Sequence, residues 1–209
     1  MVGATALGVV VPGALAWWLG GPAAGASAAL LCAVAVGAWI AVQPRRAIRA
    51  RSPVALGSEE APRVVNVVAG LAADLGIPPP KVWIVEGDGP NAVVGRLGQA
   101  SVGVTRALLD LYTRTELEAV IAHCLLRLRR PGLRREALAA ALGPLGRVLC
   151  PVVDAQHDAA VAAVTRYPPA LAAAIRKATP ARGGAPFLFV APRPWHDDPE
   201  QRAAHVADL

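Results

Sequence analysis

Residues 113–130 read TRTELEAVIAHCLLRLRR. Thr113 with Glu116 three positions on is a capping box, in which the hydroxyl and the carboxylate each take one of the backbone N–H groups that a helix start leaves open. Leu117, Val120, Ile121 and Leu125 then recur at steps of one to four, which predicts a helix from Thr115 with a continuous apolar face. On that helix His123 and Arg127 are four apart and share a face, while Cys124 is turned about 100° away from His123.

Upstream, KVWIVE at 81–86 is rich in β-formers and bounded by Pro78-Pro79-Pro80 and by GDGPN, so it predicts a strand and a turn. Ala92 to Arg96 and Ala100 to Thr105 predict two further strands separated by Leu97-Gly98-Gln99, giving a small antiparallel sheet. Before them, Ser58 followed by Glu59 and Glu60 looks like a helix start, with Val64, Val65, Val67, Val68, Leu71 and Leu75 at helical spacing and Gly76 as the stop.

The front of the chain is different in kind. Residues 1–42 contain no Asp, Glu, Lys, Arg or His. Val2 to Gly20 is an apolar run of 19 residues and Pro22 to Val42 one of 21, each long enough to cross a hydrocarbon core of about 30 Å. Gly20-Gly21-Pro22 separates them, which predicts a hairpin of two transmembrane helices. Arg45, Arg46, Arg49 and Arg51 follow at once, and by the positive-inside rule that end faces the cytoplasm, as then does the N-terminus. Ala26-Ser27-Ala28 imitates a signal-peptide cleavage site, but no basic residue precedes the first run. The division expected is 1–42 transmembrane hairpin, 43–58 basic juxtamembrane linker and 59–209 globular domain.

Composition agrees with a membrane protein: 55% of the 209 residues are hydrophobic and the mean hydropathy is +0.43. The net charge of +6 does not require nucleic acid, because setting the four juxtamembrane arginines aside leaves 17 basic against 15 acidic residues. Cys32, Cys124 and Cys150 have no paired spacing and imply no disulfide framework.

Downstream, Arg127, Arg129, Arg130, Arg134 and Arg135 surround Pro131-Gly132 and read either as a solvated turn or as a contact with anionic lipid. Glu136 to Val153 is apolar but broken at Gly143-Pro144, so it is not counted as a span. Helices are expected over Ala155 to Thr165 and Pro168 to Ala178, followed by the apolar FLFVA at 187–191.

From about Glu59 onward the chain resembles the HtpX-like membrane zinc metallopeptidases, relatives of the CAAX prenyl proteases. The resemblance is carried by GLAADLGIPPPKVWIVE, then NAVVG from Asn91, then VGVTRALLDLYTRTELEAVIAH, then DAQHDAAVAAVTRYPPALAAAIRKA, and lastly RPWHDDPEQRAAHVADL, which is similar to a closing His-Pro-Pro-x-x-x-Arg segment. It implies an α+β fold: a mostly helical zincin-like peptidase domain with a small β-sheet behind the transmembrane hairpin, in a bacterial inner membrane with the domain in the cytoplasm.

The resemblance also implies where a zinc site would be. Such enzymes hold zinc with the two histidines of His-Glu-x-x-His and a later Glu, and use the motif Glu as base. Here His123 keeps the first ligand position, Cys124 stands at the base, Arg127 at the second histidine and Asp154 at the later Glu, while Asp158 and Asn91 keep their family residues. Arginine offers donors only and cannot ligate a metal, and an ordinary thiol is mostly protonated at neutral pH. The expectation is therefore a vestigial set without zinc, with Arg127 paired to Asp154 where the metal would have joined two helices.

Other chemistries draw on the same residues. A rebuilt metal site would use His123, Cys124, Asp154 and His157, although adjacent helix positions diverge; a cysteine protease would use Cys124 with His157, with no oxyanion donor in view. Three functions remain open: a pseudopeptidase that binds polypeptide or partner proteins at the strand Asn91-Ala92-Val93, a zinc endopeptidase with a non-standard site, and a structural subunit of a membrane complex.

Overall fold

The structure, a computed structural model, describes residues 2–57, 61–130, 132–149, 154–181, 183–193 and 195–209. The helix start at Ser58-Glu59-Glu60 and Cys150 lie outside the described residues. Helix α1, Val2–Arg49, is one element, but Gly21 inside it has φ 80° and ψ −177°, a conformation no helical residue takes. Only glycine reaches it without strain. The expected hairpin is thus drawn as a single helical element with a break at Gly21. By length and composition Ala14–Arg49 can cross a membrane. Trp17, Trp18, Leu19, Leu30 and Leu31 on it are exposed, as an apolar surround would require.

The domain that follows contains β1 (Val54–Ala55), α2 (Pro62–Asp74), β2 (Lys81–Val85), β3 (Ala92–Leu97) and β4 (Gln99–Thr105). Then come α3 (Arg106–Leu111), α4 (Arg114–Arg129), α5 (Gly132–Leu142), α6 (Pro144–Leu149), α7 (Asp154–Thr165), α8 (Pro168–Lys177), a 3₁₀ turn at Ala185–Phe187 and α9 (Pro199–Ala207). The fold is mostly helical with one small sheet. Sequence reading does not anticipate β1, α3 or α9.

The sheet has the order β1-β2-β4-β3 and is mixed rather than antiparallel, because β2 and β4 run parallel. The reason is the GDGPN connection: it passes over the end of β4, where Asn91 and Thr105 exchange hydrogen bonds, and so sets β3 on the far side of β4. β2 and β3, consecutive in sequence, are therefore not neighbours in the sheet. Gly95 lets α1 approach β3 closely, since a Cβ at that position would lie 2.1 Å from the Pro44 carbonyl oxygen.

Helix α4 begins with the expected capping box, Thr113 Oγ1 accepting from the Glu116 N–H at 3.3 Å and Glu116 Oε2 from the Thr113 N–H at 2.8 Å. Every residue from Ala119 to Arg127 is buried. Such a helix is apolar or paired all round and serves as the central element. It packs on α2, α5, α7, α8 and β3, so His123, Cys124 and Arg127 all face protein.

Candidate functional site

His123 is 1% exposed and packs edge-on against His157 and Phe189, at ring-centroid distances of 4.3 and 4.9 Å. Its Nε2 is 3.6 Å from Asp158 Oδ1, and neither ring nitrogen has a hydrogen-bond partner among the described residues. Burial, and then the charges or dipoles of His157, Arg127, Arg202 and His196, holds its pKa well below the ordinary value. His123 is a neutral imidazole.

Cys124 lies in the hydrophobic core, and burial pushes its thiol up to about 12. Neither a base nor a nucleophile is available from a thiol so firmly protonated. His157 donates from Nε2 to the His123 carbonyl oxygen at 3.0 Å, and burial with Arg127 beside it drops its pKa to about 3.

Arg127 is 4% exposed, and its guanidinium is committed on three sides. Nε donates to Glu136 Oε1 on α5 at 3.0 Å, Nη2 to the Pro186 carbonyl oxygen at 2.7 Å, and Nη1 to the Leu188 carbonyl oxygen. The expectation that Arg127 pairs with Asp154 is corrected by these contacts: among the described residues its ion-pair partner is Glu136. Position explains the difference. Arg127 sits near the end of α4, one turn beyond His123, and a long side chain there reaches back to α5 and the 186–188 segment before it reaches α7.

Asp154 instead meets the C-terminal segment. Its Oδ1 is 3.3 Å from His196 Nδ1, its Oδ2 accepts the Asp197 N–H at 3.1 Å, and Arg202 Nε stands 3.9 Å away. Arg202 itself grips Asp158 with two bonds, Nε to Oδ2 at 2.9 Å and Nη2 to Oδ1 at 2.8 Å, and Nη1 donates to the Phe189 carbonyl oxygen at 3.2 Å. Both partners are buried, and the paired forks satisfy the guanidinium as a buried charge requires. Burial raises the pKa of Asp154 and of Glu136 against the opposing pull of Arg202 and Arg127 respectively.

The strand Asn91-Ala92-Val93, expected as an open edge for an extended chain, is buried and already occupied. Val93 bridges antiparallel to Leu188, and the Phe189 N–H donates to the Ala92 carbonyl oxygen at 2.8 Å. Asn91 fastens the segment: Nδ2 donates to the carbonyl oxygens of Val190 and Thr179 at 2.7 and 2.8 Å, and Oδ1 accepts from the Val190 and Ala92 N–H groups. FLFVA thus lies beside β3 as a fifth, short extended piece at the edge of the four-stranded sheet, which its strand-like composition allows and its position in the sequence conceals.

Glu136, Phe189, His196 and Arg202 belong to this cluster, and sequence reading gives them no roles. His196 and Arg202 fall on the closing His-x-x-x-x-x-Arg spacing already noted, so a signal exists. Glu136 is the one acid in the Ala- and Leu-rich helix α5, which is a weaker signal.

Does this set fit a zinc ion? Two imidazoles with unpartnered nitrogens, His123 and His196, favour it. Against it, Arg127 stands where a third donor is needed, Asp154 and Asp158 are engaged by Arg202, and among the described residues no three His, Cys, Asp or Glu side chains converge to hold a metal. The Arg127 and Arg202 guanidiniums, which add to the effect of burial and of His157 in lowering the His123 pKa, would also repel a divalent cation. The donor set does not fit zinc.

Comparison with known proteins matches part of this chain. Residues 58–125 match the model of peptidase family M48. A protease HtpX homolog of Dictyoglomus turgidum is 44% identical over 86 residues, covering 40% of this chain and 28% of its own length. One of Thermococcus sibiricus is 43% identical over 89 residues, or 42% of this chain and 30% of that protein. One of Acidiphilium cryptum is 36% identical over 141 residues, or 65% of this chain and 48% of that protein. The chain therefore spans less than half the length of these curated relatives. Through this matched region the chain is similar to peptidase family M48 and to the protease HtpX homologs.

Proposed function

We propose that the chain is a membrane-anchored pseudopeptidase: an HtpX-like protein that holds no catalytic zinc, cuts no peptide bond, and acts by contact with polypeptide or protein partners. Residues 1–42 would form two spanning helices and 59–209 would lie in the cytoplasm. The observation that carries the reading is Arg127. Where the family places its second histidine, this chain has a guanidinium whose donors are taken up by Glu136, Pro186 and Leu188. A permanent cation there cannot give way to a metal.

A second reading, a structural subunit of a membrane complex whose former cleft binds nothing, is favoured by one contact. The chain's own 188–190 segment lies along Ala92 and Val93, where a polypeptide would otherwise add. An active endopeptidase with an altered site would need a base, and Cys124 is not one.

The test is cleavage of an unfolded casein by the full chain in mild detergent, with and without a chelator. The pseudopeptidase reading expects no cleavage in either; chelator-sensitive cleavage contradicts it.

A further inference from the structure

Where α1 meets the domain, a pocket of about 620 Å³ opens between the end of that helix, the β3–β4 hairpin and the α4–α5 corner. One wall is apolar, formed by Ile40 and Pro44 of α1 with Leu128 and Leu133. The rest is cationic: Arg96, Arg129, Arg130 and Arg134 line it and no acidic side chain does. Among the described residues none of these four arginines makes an ion pair. The pocket between α2 and α4 is a contrast, for there Arg63 and Arg114 are balanced by Asp74 and Glu118.

Four like charges facing one cavity repel, and helix dipoles account for only part of the arrangement. Arg129 and Arg130 end α4, where cations are favoured, but Arg134 lies in the first turn of α5, at the positive end of that dipole. An anion in the pocket would relieve both costs. Trp39 is half exposed with the Arg46 guanidinium 4.6 Å from its ring, an aromatic–cation pairing of the kind favoured at a headgroup level if α1 spans a bilayer. Ile40, the next residue, opens into the pocket from the apolar side.

We propose that this pocket binds an anionic glycerophospholipid, its phosphate held by Arg96, Arg129, Arg130 and Arg134 and the start of an acyl chain laid against Ile40 and Leu133. Guanidinium forks suit phosphate oxygens, and an apolar wall continuous with the spanning helix suits a lipid rather than a free anion. The site would tie the globular domain to one leaflet at the α4–α5 corner, close to the turn that carries Arg127 into its buried network. It rests on α1 lying in a bilayer, which is read separately by whether the full chain stays with membranes after alkaline carbonate.

The experiment is native mass spectrometry of the full chain in mild detergent, titrated with phosphatidylglycerol or phosphatidylcholine. One phosphatidylglycerol should be retained in preference to phosphatidylcholine, and Arg129→Ala with Arg134→Ala should weaken that retention by about tenfold or more. Arg45→Ala with Arg49→Ala, which thins the juxtamembrane charge outside the pocket, should leave it nearly unchanged. Equal retention of the two lipids, or equal loss in both double variants, overturns the proposal. So does displacement of the lipid by millimolar inorganic phosphate, which would make the pocket a free-anion site.

Discussion

Arg127 Nε and Glu136 Oε1 stand 3.0 Å apart in the interior, joining α4 to α5. The pair is buried on both sides, so removing one partner strands the other in an apolar setting. Arg127→Ala should destabilise the full chain by about 3–5 kcal/mol, and the double change with Glu136→Ala should cost clearly less than the sum of the single changes. The same cycle between Arg127 and Asp154 should show much weaker coupling. Thermal unfolding in detergent reads all of these variants, and coupling to Asp154 equal to that with Glu136 would contradict the network described.

Arg202 and Asp158 form a two-bond fork, and geometry rather than charge alone should matter there. Arg202→Lys keeps the charge but loses the fork, so it should recover little of the stability lost in Arg202→Leu. Full recovery by lysine would show that the charge suffices.

A pH dependence follows from His157. Its pKa is pushed down to about 3 by burial and Arg127, whereas an unfolded histidine titrates near about 6.5. Between those values the unfolded chain binds a proton that the native one does not, so stability falls as pH drops from about 6.5 toward about 3. The raised pKa values of Glu136 and Asp154 act in the opposite sense, since the native state gains those protons first. His157→Gln should remove one proton from the slope, about 1.4 kcal/mol per pH unit, so the gap to the parent protein should narrow between pH 6 and 4, values set by roughly that window. A constant gap across that range would place the His157 pKa elsewhere.

Asn91 controls how firmly the 188–190 segment covers β3. In Asn91→Ala the Val190 carbonyl and N–H lose their side-chain partner, and the amides of Phe189 and Val190 should exchange with solvent markedly faster while those of β4 stay protected. Unchanged exchange at Phe189 would mean that the backbone bridge alone holds the segment.

How much of this could be read in the residues differs from element to element. The α4 start was legible because Thr113 and Glu116 act locally, and the strand boundaries because Pro and Gly punctuate them. Sheet order was not, since the crossing of GDGPN over β4 depends on Asn91 meeting Thr105, 14 residues away. The motif points to His123, Cys124 and Arg127, but whether Arg127 meets Glu136 or Asp154 depends on how α5 and α7 pack, which no local pattern encodes. The closing of the cluster by His196 and Arg202 is likewise a long-range event, signalled only by their spacing.

The central claim is that Arg127 has displaced the metal, and zinc stoichiometry tests it most directly. The full chain, purified mildly without chelator, should carry far less than one zinc, whereas the triple change Cys124→Glu, Arg127→His and Asp154→Glu should bind zinc and melt higher with it. About one zinc per chain in the unaltered protein would contradict the account.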